Sequence, residues 1–379
     1  MSTPTVLLTL GRLPKGLDIA RSFAAQGWRV VVAEPFARHL VGASRHVARR
    51  ITVPPPSAGK RAYLDALARV VREEDVRLVV PVSEETMHVA HLRPLLPEGV
   101  GLFTAEPEAL LRLHDKYGFT RACAEFGVLA PETHLLGSEG ARALAAQGDV
   151  AVKPIHSCAG RGFQRIRQGE ALPAGGPPSV VQAFVEGREY SSCGIAHEGR
   201  LLGNAVYRGA MFSGSVAIVF ERVENPAIEE WIGRFVAASG HTGFISFDMM
   251  LDAGGRVWGI ECNPRPTSGV HFFRNPDIAR AILDGAPAAF RTERELQQFY
   301  SVLTALSGVM FRRGYFRVLR RLLGTRDVSF AWRDPWPSLS MIWTTWPIIQ
   351  AAMRQGRPFG EVATLDVGWF EGDALTSGS

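Results

Sequence analysis

The chain has 379 residues, of which 46% are hydrophobic and 21% are charged. This composition is that of a folded globular protein, and the length predicts two or three domains rather than one. The net charge of +5 is too small over this length to indicate nucleic-acid binding, but it suits an anionic small molecule such as a nucleotide.

The cysteines and the N-terminal segment indicate the compartment. Cys123, Cys158, Cys193 and Cys262 have no short paired spacing, so they predict neither a zinc site nor a disulfide framework. The first residues lack the basic and long apolar regions of a signal peptide. No run approaches the roughly 20 apolar residues that span a bilayer. We therefore expect a cytoplasmic protein without a membrane span.

Short apolar strands alternate with amphipathic helices in the first part of the chain. Strands are predicted at 5–10, 28–34 and 76–82, and helices at 16–27 and 62–72. Continuous valine and leucine runs between helices are typical of a parallel sheet that is covered on both faces. The sequence therefore predicts an α/β domain over residues 1–112.

The end of the second strand invites a dinucleotide-binding interpretation, because Glu34 stands where such folds hold a ribose. The preceding loop has Gly11 and Gly16 with Pro14 between them, and no Gly-x-Gly-x-x-Gly is present. We predict a Rossmann-like supporting domain that binds no nucleotide of its own, with NAD binding as the second interpretation.

A second unit is predicted to begin near Leu113, where a helix ends at Gly127. Between residues 150 and 263 the pattern changes to β hairpins, interrupted by a helix at about 226–239. This pattern predicts an α+β domain with mainly antiparallel strands, which we place at residues 113–285.

Two β runs at 243–263 flank the pair Gly254-Gly255, which suits a two-residue hairpin turn. That register places Asp248 opposite Glu261 and puts Asn263 on the same face. Phe247, Met249, Trp258, Ile260 and Cys262 would form the opposite, apolar face.

Opposed carboxylates repel each other unless one is protonated or a cation lies between them. Asp248, Glu261 and Asn263 offer the hard oxygen ligands that suit Mg²⁺. Arg265 follows at once, where it can hold a phosphate or a developing negative charge. A solvent-facing hairpin with scattered charges would explain any one of these residues, but not the four together.

Two lysines and a small-residue loop suit phosphate binding. Lys116 begins a helix, and Lys153 ends an apolar strand. The loop that follows contains Ser157, Gly160 and Gly162, which let backbone N–H groups approach a phosphate. Taken singly, each of these features is also compatible with an ordinary surface lysine or a flexible turn.

The segment 179–191 is an apolar strand that breaks into a Glu-Gly turn and resumes. Such a connection can hold an adenine through the backbone of Phe184 and Val185, with Glu189 placed to accept from ribose hydroxyls. A plain interdomain turn is the other interpretation of this segment.

In this order, the motifs resemble those of the ATP-grasp superfamily, in particular its carboxylate–amine ligases with a pre-ATP-grasp domain. The resemblance covers residues 1–285, and its most specific part is the closing motif Glu-Cys-Asn-Pro-Arg at 261–265. It implies ATP as the nucleotide, one or two Mg²⁺ ions (or Mn²⁺), and an ADP-forming reaction that couples a carboxylic acid to an amine or amino acid through an acyl phosphate.

The resemblance also implies a role for each site residue. Lys116 and Lys153 would bind phosphates, and Arg265 would steady the transferred phosphoryl group. The nucleotide site would further include Ser157, Gly160, Gly162, Gln182, Phe184, Val185 and Glu189, and the metal site Asp248, Glu261 and Asn263. Many relatives have glutamate where this chain has Gln182, whose carbonyl oxygen can still accept from the adenine amino group.

Two other classes of protein remain open. A non-catalytic nucleotide-binding protein could keep the same fold, although the complete set of carboxylates and lysines argues against it. An NAD(P)-dependent oxidoreductase would rest on the first domain alone and lacks its glycine fingerprint.

The acceptor site and the C-terminal region are less specified. Relatives use a loop after a strand of the first domain, which points to Ser83, Glu84 and Glu85, and an acid there such as Glu84 could hold an amino group. Arg208, His271 or Arg274 could hold a carboxylate, and a solvated surface role is the other interpretation of each of these residues. We predict a mostly helical extension over residues 286–379, with a basic helix from Phe299 to Leu323 that docks by its apolar side. This extension would cover the active site or form a homodimer interface.

Overall fold

The computed structural model describes residues 3–157, 162–213, 216–298, 315–357 and 359–369. The first part of the chain forms β1 (Thr5–Leu8), α1 (Lys15–Ala25), β2 (Arg29–Glu34), β3 (Val47–Thr52), α2 (Lys60–Glu73), β4 (Val76–Val80), α3 (Thr86–Val89), β5 (Gly101–Leu102) and α4 (Pro107–His114). All its strand pairs are parallel, in the order β3-β2-β1-β4-β5. The predicted parallel α/β sheet is therefore confirmed.

The strand β3 was not predicted, and its side chains explain why. Four of its six residues are exposed, among them Arg49 and Arg50, so it has no apolar run. It is an edge strand of the sheet, where charged side chains prevent pairing with other chains. By contrast, α2 buries Tyr63, Leu64 and Leu67 on one face, and its amphipathic pattern is evident in the sequence.

The middle of the chain contains two sheets. Its elements are α5 (Lys116–Glu125), β6 (Thr133–Leu135), α6 (Glu139–Gln147), β7 (Val150–Pro154), β8 (Gln164–Ile166), β9 (Ser179–Ala183), β10 (Arg188–His197), β11 (Arg200–Ser213), β12 (Val216–Arg222), α7 (Pro226–Ser239), β13 (Gly243–Leu251), β14 (Val257–Asn263) and α8 (Asn275–Asp284). The small sheet has the order β6-β9-β7-β8. The predicted α+β arrangement is confirmed.

The helix α7 has both of the end signals that its sequence predicts. The Asn225 side chain accepts a hydrogen bond from the Ile228 N–H, and Pro226 occupies the first turn. Gly240 ends the helix with φ of 63°, a left-handed conformation that suits glycine.

The C-terminal part is mostly helical, as predicted. It contains β15 (Glu295–Gln297), α9 (Tyr315–Gly324), β16 (Arg326–Asp327), α10 (Trp336–Leu339), α11 (Met341–Gln355) and α12 (Phe359–Leu365). Its strands extend the large sheet, whose order is β14-β13-β10-β11-β12-β15-β16. Residues 299–314 of the predicted basic helix lie outside the described residues. At its described end, Leu322 packs on Ile218 and Val219.

One hydrophobic core joins the three parts of the chain. It contains Leu17 and Phe23 from α1, Ile278 from α8 and Ile348 from α11. The Ser22 hydroxyl accepts a hydrogen bond from the Ala279 N–H at 2.7 Å, which ties α1 to α8. The first domain is therefore held directly against the large sheet.

Candidate active site

The hairpin β13–β14 brings two carboxylates together. Asp248 is the register partner of Glu261, and Ser246 is the partner of Asn263. The predicted two-residue turn is wrong, since Asp252 and Arg256 close a three-residue loop in which the Gly255 N–H donates to the Asp252 carbonyl at 3.0 Å. Gly255 has φ of 78°, as the last residue of such a loop requires.

A β-bulge restores the predicted pairing. Met249 pairs with Gly259 and Asp248 pairs with Glu261, so Ile260 is the extra residue. Without the bulge, the three-residue loop would place Ile260 opposite Asp248 and turn Glu261 to the other face. The longer loop shifts the register by one residue and the bulge shifts it back, so Asp248 and Glu261 pair as predicted.

The three-residue loop also changes the predicted apolar face, because it places Trp258 opposite Met250. Phe247, Met249 and Cys262 lie in the core together with Val257. Trp258 instead donates through Nε1 to Asp252 Oδ2 at 3.0 Å, and Ile260 is half-buried. The sequence holds one signal for the bulge, since Gly259 precedes the extra residue and a glycine inside a strand often marks a bulge.

The two carboxylates share hydrogen-bond donors. Ser191 Oγ donates to Asp248 Oδ1 at 2.6 Å. Asn263 Nδ2 donates to Asp248 Oδ2 at 3.1 Å and to Glu261 Oε1 at 3.4 Å. On the other side, Lys116 Nζ lies 3.4 Å from Glu261 Oε2. In this arrangement the repulsion between the carboxylates is relieved by a lysine and an amide.

The pKa values of the pair diverge. Burial, together with the neighbouring Glu261 charge, raises the pKa of Asp248 to about 7. Burial acts in the same direction on Glu261, but the Lys116 and Lys153 charges outweigh it and lower the pKa of Glu261 to about 2. Asp248 is therefore only partly ionised near neutral pH, and a divalent cation could take the place of its proton.

Asn263 faces the carboxylates with its amino group rather than with its oxygen. Its Oδ1 accepts from Arg265 Nη2 at 2.9 Å. A role as a metal ligand therefore requires the amide to turn, which breaks the bond from Arg265. Among the described residues, no group of three or more His, Cys, Asp or Glu side chains could hold a metal ion. The predicted metal set consists of two carboxylates and this amide.

Lys153 lies at the end of β7 and reaches the neighbouring strand β9. Its Nζ donates to Gln182 Oε1 at 2.8 Å, and Gln182 Nε2 donates to Thr133 Oγ1 at 3.1 Å. Burial lowers the pKa of Lys153 to about 8, and the Lys116 charge adds to this effect, whereas nearby carboxylates oppose it. Lys153 is therefore an easily neutralised cation beside the carboxylate pair.

Lys116 connects the carboxylates to the glycine loop. Asp115 caps its helix by accepting from the Gly118 N–H at 2.8 Å, which fixes Lys116 in the first turn. The buried Lys116 Nζ donates to the Ser157 carbonyl at 2.9 Å and to Ser157 Oγ at 3.1 Å. Gly162 has φ of 72°, and Gly160 lies outside the described residues.

The predicted adenine segment follows β9. The Phe184 N–H donates to the Asp149 carbonyl at 3.0 Å, and the Phe184 ring lies against the Arg165 guanidinium. This amide is therefore already used within the fold. Val185 is half-buried, and Glu189 is exposed on β10, two residues before Ser191.

Arg265 joins the hairpin to the first domain. Its Nη2 lies 2.6 Å from Glu84 Oε1, and both side chains are buried. The Arg265 charge lowers the pKa of Glu84 against the opposing effect of burial. The predicted acceptor residue Glu84 thus lies beside the predicted phosphate residue.

Lys15 belongs to the same cluster but was missed by the sequence reasoning. Its Nζ donates to the Pro266 carbonyl at 2.7 Å. Burial lowers the pKa of Lys15 to about 7, and the Arg265 charge adds to this effect. The sequence did contain a signal for Lys15. A positive charge in the first turn of a helix is unfavourable because the helix dipole is positive there, so a lysine at that position indicates a role outside the helix.

The other predicted acceptor residues lie elsewhere. Arg208 pairs with Glu221 at 2.7 Å, and strand alternation puts it on the face opposite Tyr207, the partner of Ser191. His271 is buried against Asp18 at 2.5 Å, and Arg274 is exposed near Asp277. Of the four, the structure brings only Glu84 to the carboxylate cluster.

Comparison with known proteins identifies a family domain in the chain and solved structures with a similar fold. Residues 113–269 match the family model described as ATP-grasp domain. The N5-carboxyaminoimidazole synthetase from Staphylococcus aureus, solved with ADP, superposes with a TM-score of 0.60 at 14% identity, covering 76% of this chain and 79% of that one. The L-amino acid ligase from Bacillus licheniformis gives 0.57 at 16% identity, with 75% of each chain covered.

A third structure is the biotin carboxylase domain of the Hydrogenobacter thermophilus 2-oxoglutarate carboxylase, solved with MgADP and bicarbonate. Its TM-score is 0.56 at 16% identity, covering 71% of this chain and 65% of that one. No curated protein sequence matches the chain.

The parallel first domain, the two further sheets and the matched domain define the ATP-grasp fold. Residues 113–269 match the ATP-grasp domain, and the ATP-grasp resemblance inferred from the sequence is confirmed for this part of the chain.

Proposed function

We propose that the protein is an ATP-dependent, ADP-forming ligase that activates a carboxylate as an acyl phosphate and couples it to an amine or amino acid. The observation that carries the proposal is the convergence of two lysines and two carboxylates from four elements, α5, β7, β13 and β14. Phosphoryl transfer needs charge neutralisation and positioning more than a covalent catalyst, and this cluster offers both.

The nucleotide would lie between the small sheet and the hairpin. Lys116, Lys153, Ser157, Gly160 and Gly162 would bind its phosphates. Gln182 and Glu189 would meet adenine and ribose. Because the Phe184 N–H donates to the Asp149 carbonyl, the backbone N–H that meets adenine would come from Val185, while the Phe184 carbonyl could accept from the adenine amino group.

Magnesium fits the donor set of the hairpin. Asp248 and Glu261 would hold one or two Mg²⁺ ions (or Mn²⁺), with Asn263 after its amide turns. The bound ion would supply charge neutralisation at the β- and γ-phosphates. Turning Asn263 frees an Arg265 N–H from Asn263 Oδ1, so that Arg265 can donate to the transferred phosphoryl group.

The proposed reaction has two steps. A carboxylate oxygen of the acid attacks the γ-phosphorus, the bond to the β–γ bridging oxygen breaks, and ADP leaves. An amine nitrogen then attacks the carbonyl carbon of the acyl phosphate, inorganic phosphate leaves, and the nitrogen loses a proton. Glu84, which lies beside Arg265, would hold the amino group.

The solved relatives support this reaction class without fixing the substrates. Their names describe synthetases, carboxylases and an amino acid ligase, and one is solved with bicarbonate. A non-catalytic nucleotide-binding protein would also bind ATP, but it has little use for a paired carboxylate site. We further propose domain boundaries at 112/113 and 285/286 and a cytoplasmic location.

The test is the nucleotide product. Purified protein is incubated with Mg-ATP and pairs of carboxylic acids and amines, and the nucleotides are separated by chromatography. We expect ADP and phosphate to appear only with an accepted pair. AMP with pyrophosphate would exclude the acyl-phosphate mechanism, and ATP binding without turnover of any pair would favour the non-catalytic alternative.

A further inference from the structure

The outward face of α11 has an unusual distribution of side chains. Its buried side includes Thr344 and Thr345, whose hydroxyls donate to carbonyls of the preceding turn. In contrast, Ile342, Trp343 and Trp346 are 66%, 60% and 51% exposed. A helix on the surface of a folded domain normally turns its largest apolar side chains inward. This face is therefore built for contact with something other than water.

The same face continues through α10. Only Ser340 separates the two helices, and its carbonyl accepts from the Trp343 and Thr344 N–H groups. Intervals of three, four and three residues along the chain are those of one helical face. We define the tryptophan face as six exposed side chains, Trp336, Leu339, Ile342, Trp343, Trp346 and Met353. Singly scattered apolar residues need no explanation, but a row of six does.

The charge of this region differs from that of the rest of the chain. Residues 299–358 contain nine arginines, no lysine and two aspartates, a net charge of +7, so the remaining residues together carry −2. Arg333 and Arg354 are exposed in the same segment as the tryptophan face. A surface that complements this region is therefore both anionic and able to accept indole rings.

We propose that the tryptophan face docks on an anionic phospholipid bilayer, with α10 and α11 lying in the plane of its interface. Tryptophan concentrates at the boundary between headgroups and acyl chains, and basic side chains add attraction to anionic lipids. Among the described residues, no helix is long and apolar enough to cross a membrane. The contact is therefore peripheral, and it adds a location to the proposed ligase without depending on its chemistry.

A second copy of the chain fits this face less well. A two-fold interface places the same patch of both copies together. Here each copy would bring the exposed Arg333 and Arg354 of this segment, and like charges across an interface weaken association. The bilayer has the opposite charge and explains both the arginines and the tryptophans.

Flotation with vesicles tests the proposal on the full chain. Wild type should float with phosphatidylcholine vesicles that contain phosphatidylglycerol, less so as salt rises, and not with phosphatidylcholine alone. Trp343→Ser/Trp346→Ser should lower the partition coefficient roughly tenfold or more. The matched control is Leu129→Ser/Leu135→Ser, which removes two exposed apolar side chains elsewhere and should bind as wild type does.

Variants of Arg354 test the electrostatic attraction to anionic lipid and leave the apolar side chains unchanged. Arg354→Glu should weaken binding to the anionic vesicles, whereas Arg354→Lys should retain it. Equal melting temperatures would show that the variants are folded. Failure of wild type to float with anionic vesicles, or undiminished flotation of the double tryptophan variant, would overturn the proposal. So would a dimer in sedimentation that the tryptophan variant converts to monomers.

Discussion

The charged side chains of the site balance one another residue by residue. Glu261 is the partner of Lys116, and Lys153 is held by Gln182. The pKa of Asp248 is raised because burial and Glu261 disfavour a second negative charge. When a nucleotide and a metal ion bind, the lysines can exchange their present partners for phosphates, and the carboxylates can exchange theirs for the metal ion. No charged side chain of the cluster is then left unpaired before or after binding. Two variants test this balance.

Lys153→Ala should weaken ATP binding about 10- to 100-fold, because a hydrogen bond to a charged group contributes about 1.5–3 kcal/mol. The half-buried Lys153 is not part of the hydrophobic core, so the fold should persist. Titration of the folded variant with nucleotide measures the effect. Lys60→Ala is the control, since Lys60 lies over the Trp369 ring away from the carboxylates. Equal affinities for the two variants would remove Lys153 from the site.

Asp248→Asn should change the pH dependence of stability in the absence of metal. The folded pKa of Asp248 is raised, so its contribution to stability is complete below its unfolded pKa of about 4 and is lost as pH rises through about 7. The amide does not ionise and escapes this loss. The melting temperature of the variant minus that of wild type should therefore increase between about pH 5 and about pH 8. A difference that stays constant with pH would show that Asp248 is already ionised in the folded protein.

At the scale of elements, α7 and the parallel strands β1, β2 and β4 follow from local patterns, and they were predictable. The hairpin β13–β14 shows what local sequence patterns do not predict. Its carboxylate pairing was predicted from a two-residue turn that does not form, and the correct pairing depends on the bulge at Ile260. That bulge is decided by packing, because Gly259 must face Trp231 and Phe119, which come from other helices.

The acceptor residues were the least predictable part of the site. Their positions depend on contacts between distant parts of the chain, such as Glu84 with Arg265 and His271 with Asp18. No spacing within a segment encodes such contacts. Lys15 belongs to the same class, although its place in a helix N-terminus was a usable signal.

Gly259→Ala tests the packing of β14. A Cβ at this position would lie 2.5 Å from the Trp231 ring and 3.0 Å from the Phe119 ring, so these rings must shift. Overpacking of this kind destabilises by about 1–3 kcal/mol, and the shift should also disturb the neighbouring bulge. Thermal unfolding measures the change.

The matched control is Gly233→Ala, in the interior of α7. A Cβ there meets no atom within 4 Å, and alanine is the better helix former by roughly 0.5–1 kcal/mol. The two glycine substitutions should therefore move the melting temperature in opposite directions. Stabilisation by both would mean that β14 is not packed against Trp231.

At the scale of the whole molecule, buried ion pairs tie the C-terminal part to the first domain. Arg12 is fully buried between Glu34 and Asp366, and Arg21 contacts Asp334 at 3.0 Å. Glu34 also accepts from the Gly11 and Arg12 N–H groups at 2.8 and 2.9 Å. Its carboxylate is therefore fully used in holding the β1–α1 loop, which agrees with a first domain that binds no dinucleotide.

The two partners of Arg12 differ in burial, and this predicts unequal effects of removing charges. Arg12→Ala leaves the fully buried Glu34 without a counter-charge, which typically destabilises by about 3–5 kcal/mol. Asp366→Asn leaves Arg12 paired with Glu34, and the side chain of Asp366 is 25% exposed, so a loss of only about 1 kcal/mol is expected. Melting temperatures give the order of the two effects. Limited proteolysis should cut the C-terminal segment of Asp366→Asn only slightly faster than that of wild type, because Met341, Ile348 and Val367 still pack in the core shared with the first domain. If Asp366→Asn were as destabilising as Arg12→Ala, the partial exposure of Asp366 would not reduce the contribution of its ion pair, and Arg12 would depend equally on both carboxylates.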